Sequence, residues 1–190
     1  MANIIKTVGA GHAAPDYATL SLWNAGEGSV DPGVGFFNIA DCSGDCGSGA
    51  AINGSHVRGY KIIGGVVFDG TNQSSLASCA RISLNTDNGL IQHFKVTNTN
   101  GFDNALGIFG ANTYAEDVYV EDSSTSSASY GAVNLRGMSA NKGIKRFVIN
   151  ASCAVLIRTG FDSPMIITNG VGFGATTRGI LASGSNQELT

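Results

Sequence analysis

The sequence predicts an all-β chain wound as a short parallel β-helix of about five to six coils, preceded by one capping helix. Three observations lead to this prediction. Apolar and polar residues alternate in short segments, these segments recur about every 25 residues, and Gly, Ser, Asn and Asp turns separate them. The 190 residues also include 27 glycines, about twice the usual share, so the backbone must turn sharply in many places.

The first series of segments has apolar residues at alternate positions and then turns polar. Its four copies place Val66, Phe94, Val118 and Phe147 at the same point, with steps of 28, 24 and 29 residues. Residues 164–169 form a weaker fifth copy. Because side chains alternate between the two faces of a strand, these residues are expected to point inward and to stack from coil to coil. The residues that follow them are expected to point outward, namely Val67, Lys95, Tyr119 and Val148.

A second series of short apolar strands interleaves with the first. Its copies begin at Ile82, Leu106, Val133, Val155 and Ile180, with steps of 24, 27, 22 and 25 residues. Two strands per unit of about 25 residues fit a parallel β-helix. A leucine-rich repeat would show a leucine frame and an asparagine ladder, and we find neither in the sequence. A β-sandwich would not give both series a common spacing.

The N-terminal segment has a different pattern. From Asp16 onward it predicts a helix, N-capped by Asp16, with Tyr17, Leu20 and Trp23 on one stripe. The first coil of a β-helix exposes strand edges and core side chains, so we interpret this helix as a lid rather than as a partner site. We expect one domain over 1–190, with the N-terminal strand and capping helix in 1–28, the coils in 29–182 and a tail in 183–190.

A glycine-rich string of the form G-x-G-x-x-A runs from Gly9 to Ala14, between a predicted strand and the helix. The same order of elements occurs in dinucleotide-binding folds. Pro15 interrupts the junction between loop and helix, and no alternating β/α units follow. The string is therefore interpreted as a loop without a nucleotide.

Charge and hydropathy exclude several classes of function. The net charge is -3 and no basic run exceeds Lys145-Arg146, which argues against nucleic acid and anionic membranes as partners. No apolar stretch approaches 18 residues, and the N-terminus lacks the pattern of a signal peptide. The sequence therefore predicts a protein that is made in the cytoplasm and not exported through a signal peptide.

The four cysteines are expected to be thiols. Cys79 and Cys153 each lie next to an apolar run and are predicted to be small core residues. Cys42 and Cys46 lie in a glycine-rich turn, where they could chelate zinc, close a small loop or remain incidental thiols. A structural zinc site needs four ligands, and no second pair follows at the required spacing, so incidental thiols are favoured. No metal and no cofactor are predicted.

Catalysis requires clustered acids or histidines, and the sequence does not bring them together. Acid pairs occur at Glu116-Asp117 and Glu121-Asp122, which we interpret as a solvated coil edge or turn. The outward positions after the first-series strands do not place acids on neighbouring coils; they are Asp69, Thr97, Glu121 and Asn150. The histidines are scattered at His12, His56 and His93, with His93 expected on the outer face. No catalytic, cofactor-binding or metal-binding residue is predicted.

The opening residues resemble a known group of proteins. Residues 7–26, and above all the D-Y-x-T-L-x-x-W pattern from Asp16 to Trp23, are similar to the start of right-handed parallel β-helix proteins of the pectate-lyase-like type. Many of these are virion surface proteins of tailed bacteriophages. The resemblance implies an all-β fold, a short right-handed parallel β-helix with an N-terminal capping helix. Lyases of this fold use clustered Asp residues, Ca²⁺ and an Arg or Lys base, which this chain does not match.

The resemblance and the absence of an acid cluster together predict a non-enzymatic structural protein of a bacteriophage virion. We expect a capsid decoration or cement protein that stabilises the head, made in the host cytoplasm. Its expected partners are the major capsid protein and copies of itself, with a homotrimer implied by the resemblance. The alternative is a tail-associated module that binds carbohydrate or depolymerises polysaccharide. A bacterial adhesin fragment is a third reading, which the missing signal peptide disfavours.

Overall fold

The computed structural model describes residues 2–54, 58–99, 104–123, 131–137, 141–160, 165–175 and 178–183. These ranges contain one α-helix, α1 (Leu20–Glu27), and thirteen strands. The strands are β1 (Ile4–Val8), β2 (Asn38–Cys42), β3 (Asp45–Ile52), β4 (Tyr60–Gly64), β5 (Ala77–Leu84), β6 (Leu90–Asn98), β7 (Leu106–Ile108), β8 (Thr113–Asp122), β9 (Val133–Leu135), β10 (Lys142–Ala151), β11 (Val155–Gly160), β12 (Met165–Phe173) and β13 (Arg178–Ser183). No helix in these ranges has the length and apolar character that a membrane crossing requires.

The strands wind into six coils that pair in parallel with the coils before and after them. Sheet 1 contains β1, β2, β4 and the first halves of β6, β8, β10 and β12. After a bend, the second halves of these long strands form sheet 2 together with the first half of β5. Sheet 3 contains the ends of β3 and β5 and the strands β7, β9, β11 and β13. This arrangement confirms the predicted parallel β-helix.

The core is built from inward columns that run across the coils. Phe94 pairs with Val118, and Val118 pairs with Phe147, so the three stack in register, and all are buried as predicted. Val66 does not join them and is 42% exposed, so its predicted position is wrong. The chain leaves the coil after Gly64 and returns at Ala77, which takes the place beside Phe94. Residues 65–76 are therefore a loop rather than a strand.

The second series is confirmed except in its fourth copy. Ile82, Leu106 and Val133 pair in register along sheet 3. Val133 then pairs with Ile157, not with Val155, so the predicted alignment is two residues out at β11. Only residues 152–154 separate β10 from β11, so the chain enters sheet 3 two residues earlier than in the preceding coils. The weaker fifth copy of the first series is a true strand, since β12 pairs with β10 over eight positions.

Asparagines form a ladder at the corner between sheet 3 and sheet 1. Asn88, Asn112 and Asn141 have left-handed backbones, a conformation that Asn tolerates better than most residues. The Asn112 amide nitrogen donates to the Asn88 amide oxygen at 3.3 Å, and the Asn141 amide nitrogen donates to the Asn112 amide oxygen at 3.4 Å. The expectation that the sequence contains no asparagine ladder is therefore wrong. These asparagines lie in turns outside the apolar frame, where a search based on apolar spacing does not find them.

Helix α1 covers the first coil, as predicted for a lid. Leu20 and Trp23 are fully buried, and the Trp23 ring packs edge-on against Tyr60 at 5.8 Å. The N-cap is Thr19, whose hydroxyl accepts from the Leu22 N–H at 3.2 Å, so the predicted cap at Asp16 is wrong. The Asp16 carboxylate instead accepts from the Thr7 backbone N–H at 2.8 Å and from its hydroxyl at 3.0 Å. Residues 16 and 17 are thereby held beside β1, and the helix begins later.

All four cysteines are free and buried. Cys79 and Cys153 lie in the core as predicted, but Cys42 and Cys46 also lie there rather than in an exposed turn. A hydrogen bond with Cys46, together with burial, raises the pKa of the Cys42 thiol. Burial raises the pKa of Cys79 to about 12. The Cys42 and Cys79 thiols therefore stay protonated at neutral pH while the chain is folded.

The inward column that contains Phe94, Val118 and Phe147 reaches Gly170, which pairs with Phe147 in the last coil. A Cβ atom at Gly170 would come within 2.1 Å of the Phe147 ring, whereas one at Gly179 would meet nothing within 4 Å. We therefore expect Gly170→Ala to lower the free energy of unfolding by roughly 1–3 kcal/mol through overpacking. Gly179→Ala, in the neighbouring strand, is the matched control and should be nearly neutral. Equal denaturation midpoints for the two variants would contradict this column.

Candidate functional site

Four left-handed residues that are not glycine mark the corner between sheet 1 and sheet 2. They are His93, Asp117, Arg146 and Asn169, with φ between 49° and 55°. Their neighbours on both sides pair in register, so the four residues stand one above another on successive coils. We call them the corner column. A left-handed backbone is costly outside glycine, and here it turns four polar side chains toward the outer surface.

Ion pairs connect two coils at this corner. The Arg146 guanidinium contacts the Asp117 carboxylate at two points, Nε to Oδ1 at 2.7 Å and Nη2 to Oδ2 at 2.9 Å. Glu116 contacts Arg146 Nη2 and Lys145 Nζ, both at 3.3 Å. The Arg146 guanidinium lowers the pKa of the Asp117 carboxyl. Two cations of one coil thus neutralise two anions of the coil before it.

The loop 65–76 lies over the outer face of sheet 2. Within it, Asp69 Oδ1 accepts from the backbone N–H groups of Thr71 at 2.8 Å and Asn72 at 3.0 Å. Phe68 packs edge-on against Tyr119 at 6.3 Å, and its N–H donates to His93 Nδ1 at 3.3 Å. Tyr119 lies outside the coil interior as predicted, but this packing leaves it only 7% exposed.

A groove, here named the lateral groove, runs between the loop and sheet 2. One part has a volume of about 330 Å³ and is bordered by Asp69, Asp117 and Arg146. The adjoining part has a volume of about 430 Å³ and is bordered by Tyr119, Asn150 and Phe173. Aromatic and aliphatic surface combined with a few amide and charged groups is the usual lining of a small-ligand site.

The carboxyl groups of the lateral groove are suited to binding rather than to acid catalysis. Hydrogen bonds from the Thr71 backbone and hydroxyl lower the pKa of Asp69, and the Arg146 guanidinium lowers that of Asp117. Hydrolysis of a glycoside needs one carboxyl group whose pKa is raised, so that it can donate a proton near neutral pH. Neither Asp69 nor Asp117 meets this requirement.

The remaining candidate residues are dispersed. Thr97, Glu121 and Asn150 pair in register, and Glu121 contacts Lys95 at 2.7 Å, so no acid stack forms there. Asp69 lies in the loop and does not belong to that row. Asp122 is buried and accepts from the Asn98 amide at 3.3 Å, so its predicted exposure is wrong.

The histidines and cysteines do not converge either. His12 Nε2 lies 3.0 Å from the Asp41 carbonyl oxygen, and His93 belongs to the corner column; His56 lies outside the described residues. Over the described ranges, no three His, Cys, Asp or Glu side chains form a group that could hold a metal ion.

The lateral groove was not predicted from the sequence, because the segment around Val66 has the pattern of a strand. The string Val66-Val67-Phe68 has the alternation and β-branched content of a strand, and Phe68 is buried, but against Tyr119 outside the coil. The Asp-Gly-Thr-Asn sequence at residues 69–72 did indicate a turn at this place, because Asp and Asn side chains favour hydrogen bonds to the nearby backbone.

The stacked coils and their lateral groove define a right-handed parallel β-helix protein. Pectin methylesterase PemA from Erwinia chrysanthemi has a similar solved structure, with a TM-score of 0.50 and 11% sequence identity over 87% of this chain and 55% of that enzyme. This chain thus spans about half the length of that enzyme, and the likeness shows the fold alone. No protein-family model matches the chain, and no curated protein matches it.

The Asp117–Arg146 pair predicts a specific response to acid. Because the folded pKa of Asp117 lies below its ordinary value of 3.8, the stability it adds is complete above pH 3.8 and is lost as the pH falls through the folded value. Asp117→Asn should therefore cost about 0.5–1 kcal/mol at pH 7, since Arg146 is half exposed, and progressively less as the pH falls from 3.8 through the folded pKa. Asparagine tolerates the left-handed backbone, so the variant isolates the charge. Denaturant titrations in a series from pH 7 into that acidic range test this; a pH-independent deficit would contradict it.

Proposed function

We propose that this chain is a non-enzymatic structural protein of a bacteriophage virion, a decoration protein that binds the outside of the capsid and stabilises the head. The observation that carries the proposal is the part played by the D-Y-x-T-L-x-x-W segment. Asp16 fixes the segment to Thr7, Tyr17 donates to Glu27 Oε1 at 2.8 Å, and Leu20 and Trp23 fill the end of the coil. The residues behind the resemblance to virion β-helices thus build the cap of the coil stack.

The paired surface charges support the same proposal. Besides the corner between Glu116, Asp117, Lys145 and Arg146, ion pairs join Lys6 to Asp16, Arg58 to Asp31 and Lys95 to Glu121. Copies of a protein that crowd on a shell must not repel one another, and a locally neutral surface reduces that repulsion. Stiff stacked coils with many of their surface charges paired suit a part that is added in many copies to an existing surface.

The proposal is tested with phage particles that carry this coding sequence or a deletion of it. We expect the protein to co-purify with heads and deletion heads to release DNA at a lower temperature. Adding the purified protein back should restore the heat resistance. Gly179→Ala, which leaves the coils undisturbed, serves as the control in the add-back. Recovery of the protein with tails only, or unchanged heat release without it, would contradict the decoration role.

A second candidate function is a tail-associated module that binds carbohydrate, and the lateral groove is the observation that favours it. Phe173 is 56% exposed there, and the Asn150 amide lies 3.4 Å from the Tyr119 hydroxyl. A sugar presents apolar C–H surface and hydroxyl groups. The exposed ring can pack on the first, and the amide and hydroxyl groups can hydrogen-bond the second.

Titration with oligogalacturonides and with capsular oligosaccharides of the host separates the two candidates. The decoration protein should show no saturable heat of binding and should release no unsaturated or reducing ends. Saturable binding would favour the carbohydrate module if Phe173→Ala abolishes it. Val34→Ala, at an exposed site elsewhere, is the control and should preserve that binding.

A further inference from the structure

The outer face of sheet 1 carries two columns of side chains, with one residue of each column on each of seven successive strands. The first column consists of Ile5, Ile39, Lys61, Leu90, Tyr114, Gly143 and Ile166. The second column consists of Thr7, Asp41, Ile63, Gln92, Glu116, Lys145 and Thr168. We call these residues together the face of sheet 1.

The first column is mostly apolar, although it points away from the core. Ile5 is 59% exposed, and Ile39, Leu90, Tyr114 and Ile166 keep part of their surface in solvent. On sheet 2 the corresponding outward residue, Tyr119, is covered by the loop 65–76. A row of aliphatic and aromatic side chains along the whole stack is the kind of surface that marks a contact with another protein.

We propose that a second copy of this chain packs on the face of sheet 1, related by a two-fold axis that runs parallel to the strands through β6. Such an axis reverses the order of the coils in the second copy. Each residue therefore faces a residue of the second copy that lies in the same column, the same number of strands from β6 but on its other side. Leu90 then faces Leu90, and Ile5 faces Ile166. This proposal does not depend on the virion role.

Under this reversal, an acidic residue faces a basic one and a large side chain faces a glycine. Asp41 faces Lys145 of the second copy. The Lys61 ammonium lies over the Phe37 ring of its own chain at 3.9 Å, so its aliphatic stem is the part that faces Tyr114 of the second copy. Ile39 faces Gly143, which leaves room for the larger side chain. The Asp41 carboxylate has no ion-pair partner within 4 Å among the described residues of its own chain, so the second copy supplies one. Only Ile63 opposite Glu116 is mismatched, and Glu116 already contacts Lys145 and Arg146.

A two-fold axis perpendicular to the strands would be unfavourable. It keeps the order of the coils but exchanges the two columns, so Asp41 would face Ile39, Lys61 would face Ile63 and Glu116 would face Tyr114. Charged groups would then lose water against apolar side chains without gaining a partner, so the pattern selects the axis parallel to the strands. A three-fold ring would bring the face against a different surface and would not form these pairs.

The area of the face of sheet 1 sets the expected affinity between the two copies. Seven strands about 4.8 Å apart and about five residues long cover roughly 550 Å² on each copy, or about 1,100 Å² in total. This total lies at the lower limit for a specific interface, so we expect a reversible dimer with a dissociation constant of micromolar order.

Sedimentation analysis over a range of concentrations tests the proposal. The wild-type mass should rise from one chain to two. Asp41→Lys and Lys145→Asp should each weaken dimerisation about tenfold, whereas the double exchange restores it, because both copies then carry the swapped charges. Glu121→Lys, on the outer face of sheet 2, is the control and should leave it unchanged. A monomer at every concentration, a mass of three chains, or a double variant as weak as the single variants would overturn the proposal.

A cross-linking measurement checks the position of the axis. Leu90 lies on the axis, so Leu90→Cys should be joined to its own copy by a short bis-maleimide, while the buried native thiols stay unmodified. Val67→Cys, on the exposed loop, is the control and should give no dimer. Cross-linking of Val67→Cys but not of Leu90→Cys would place the contact elsewhere and overturn the proposal.

Discussion

The parallel pairing of each coil with the next is the constraint on which the other features depend. Once the strands stack in register, every inward side chain must fit the residue directly above and below it. Phe94, Val118 and Phe147 form such a column, and it can end at Gly170 because no side chain there competes with the Phe147 ring. Pairing also leaves one strand edge at each end of the stack, and helix α1 covers the first end with Leu20 and Trp23.

The corners are the places where this pairing is hardest to maintain, because the backbone must bend without losing its hydrogen bonds. Two corners use left-handed residues that carry side chains, and in both the side chains bond from coil to coil. The asparagine ladder joins neutral amides, whereas the corner column joins Asp117 to Arg146. Near the asparagine corner, the fully buried Lys142 donates from Nζ to the carbonyls of Phe109 at 2.9 Å and Arg136 at 3.1 Å. The strain of a left-handed turn is thus offset by contacts that only a side chain can make.

The sequence predicted those features that follow from local alternation. Phe94, Val118 and Phe147 were found because the pleat puts every second residue inside. The register of β11 was not predicted, because a short turn shifts this strand by two residues without disturbing its alternation. The N-cap was misassigned because Asp16 bonds to Thr7, nine residues earlier, rather than to the helix. The lateral groove depends on contacts between Phe68 and Tyr119, 51 positions apart in the sequence, which spacing alone does not reveal.

The buried thiols give the chain a set of built-in reporters of its own unfolding. Cys42, Cys46 and Cys79 lie in the first two coils beneath the cap, and Cys153 lies in the fifth. A thiol reagent can reach each of them only when its coil opens, so the rate at which each cysteine is labelled measures the free energy of opening at that place. Labelling of the native chain, followed by peptide mass analysis, would therefore reveal whether the stack frays from the capped end or from the other end, without any substitution.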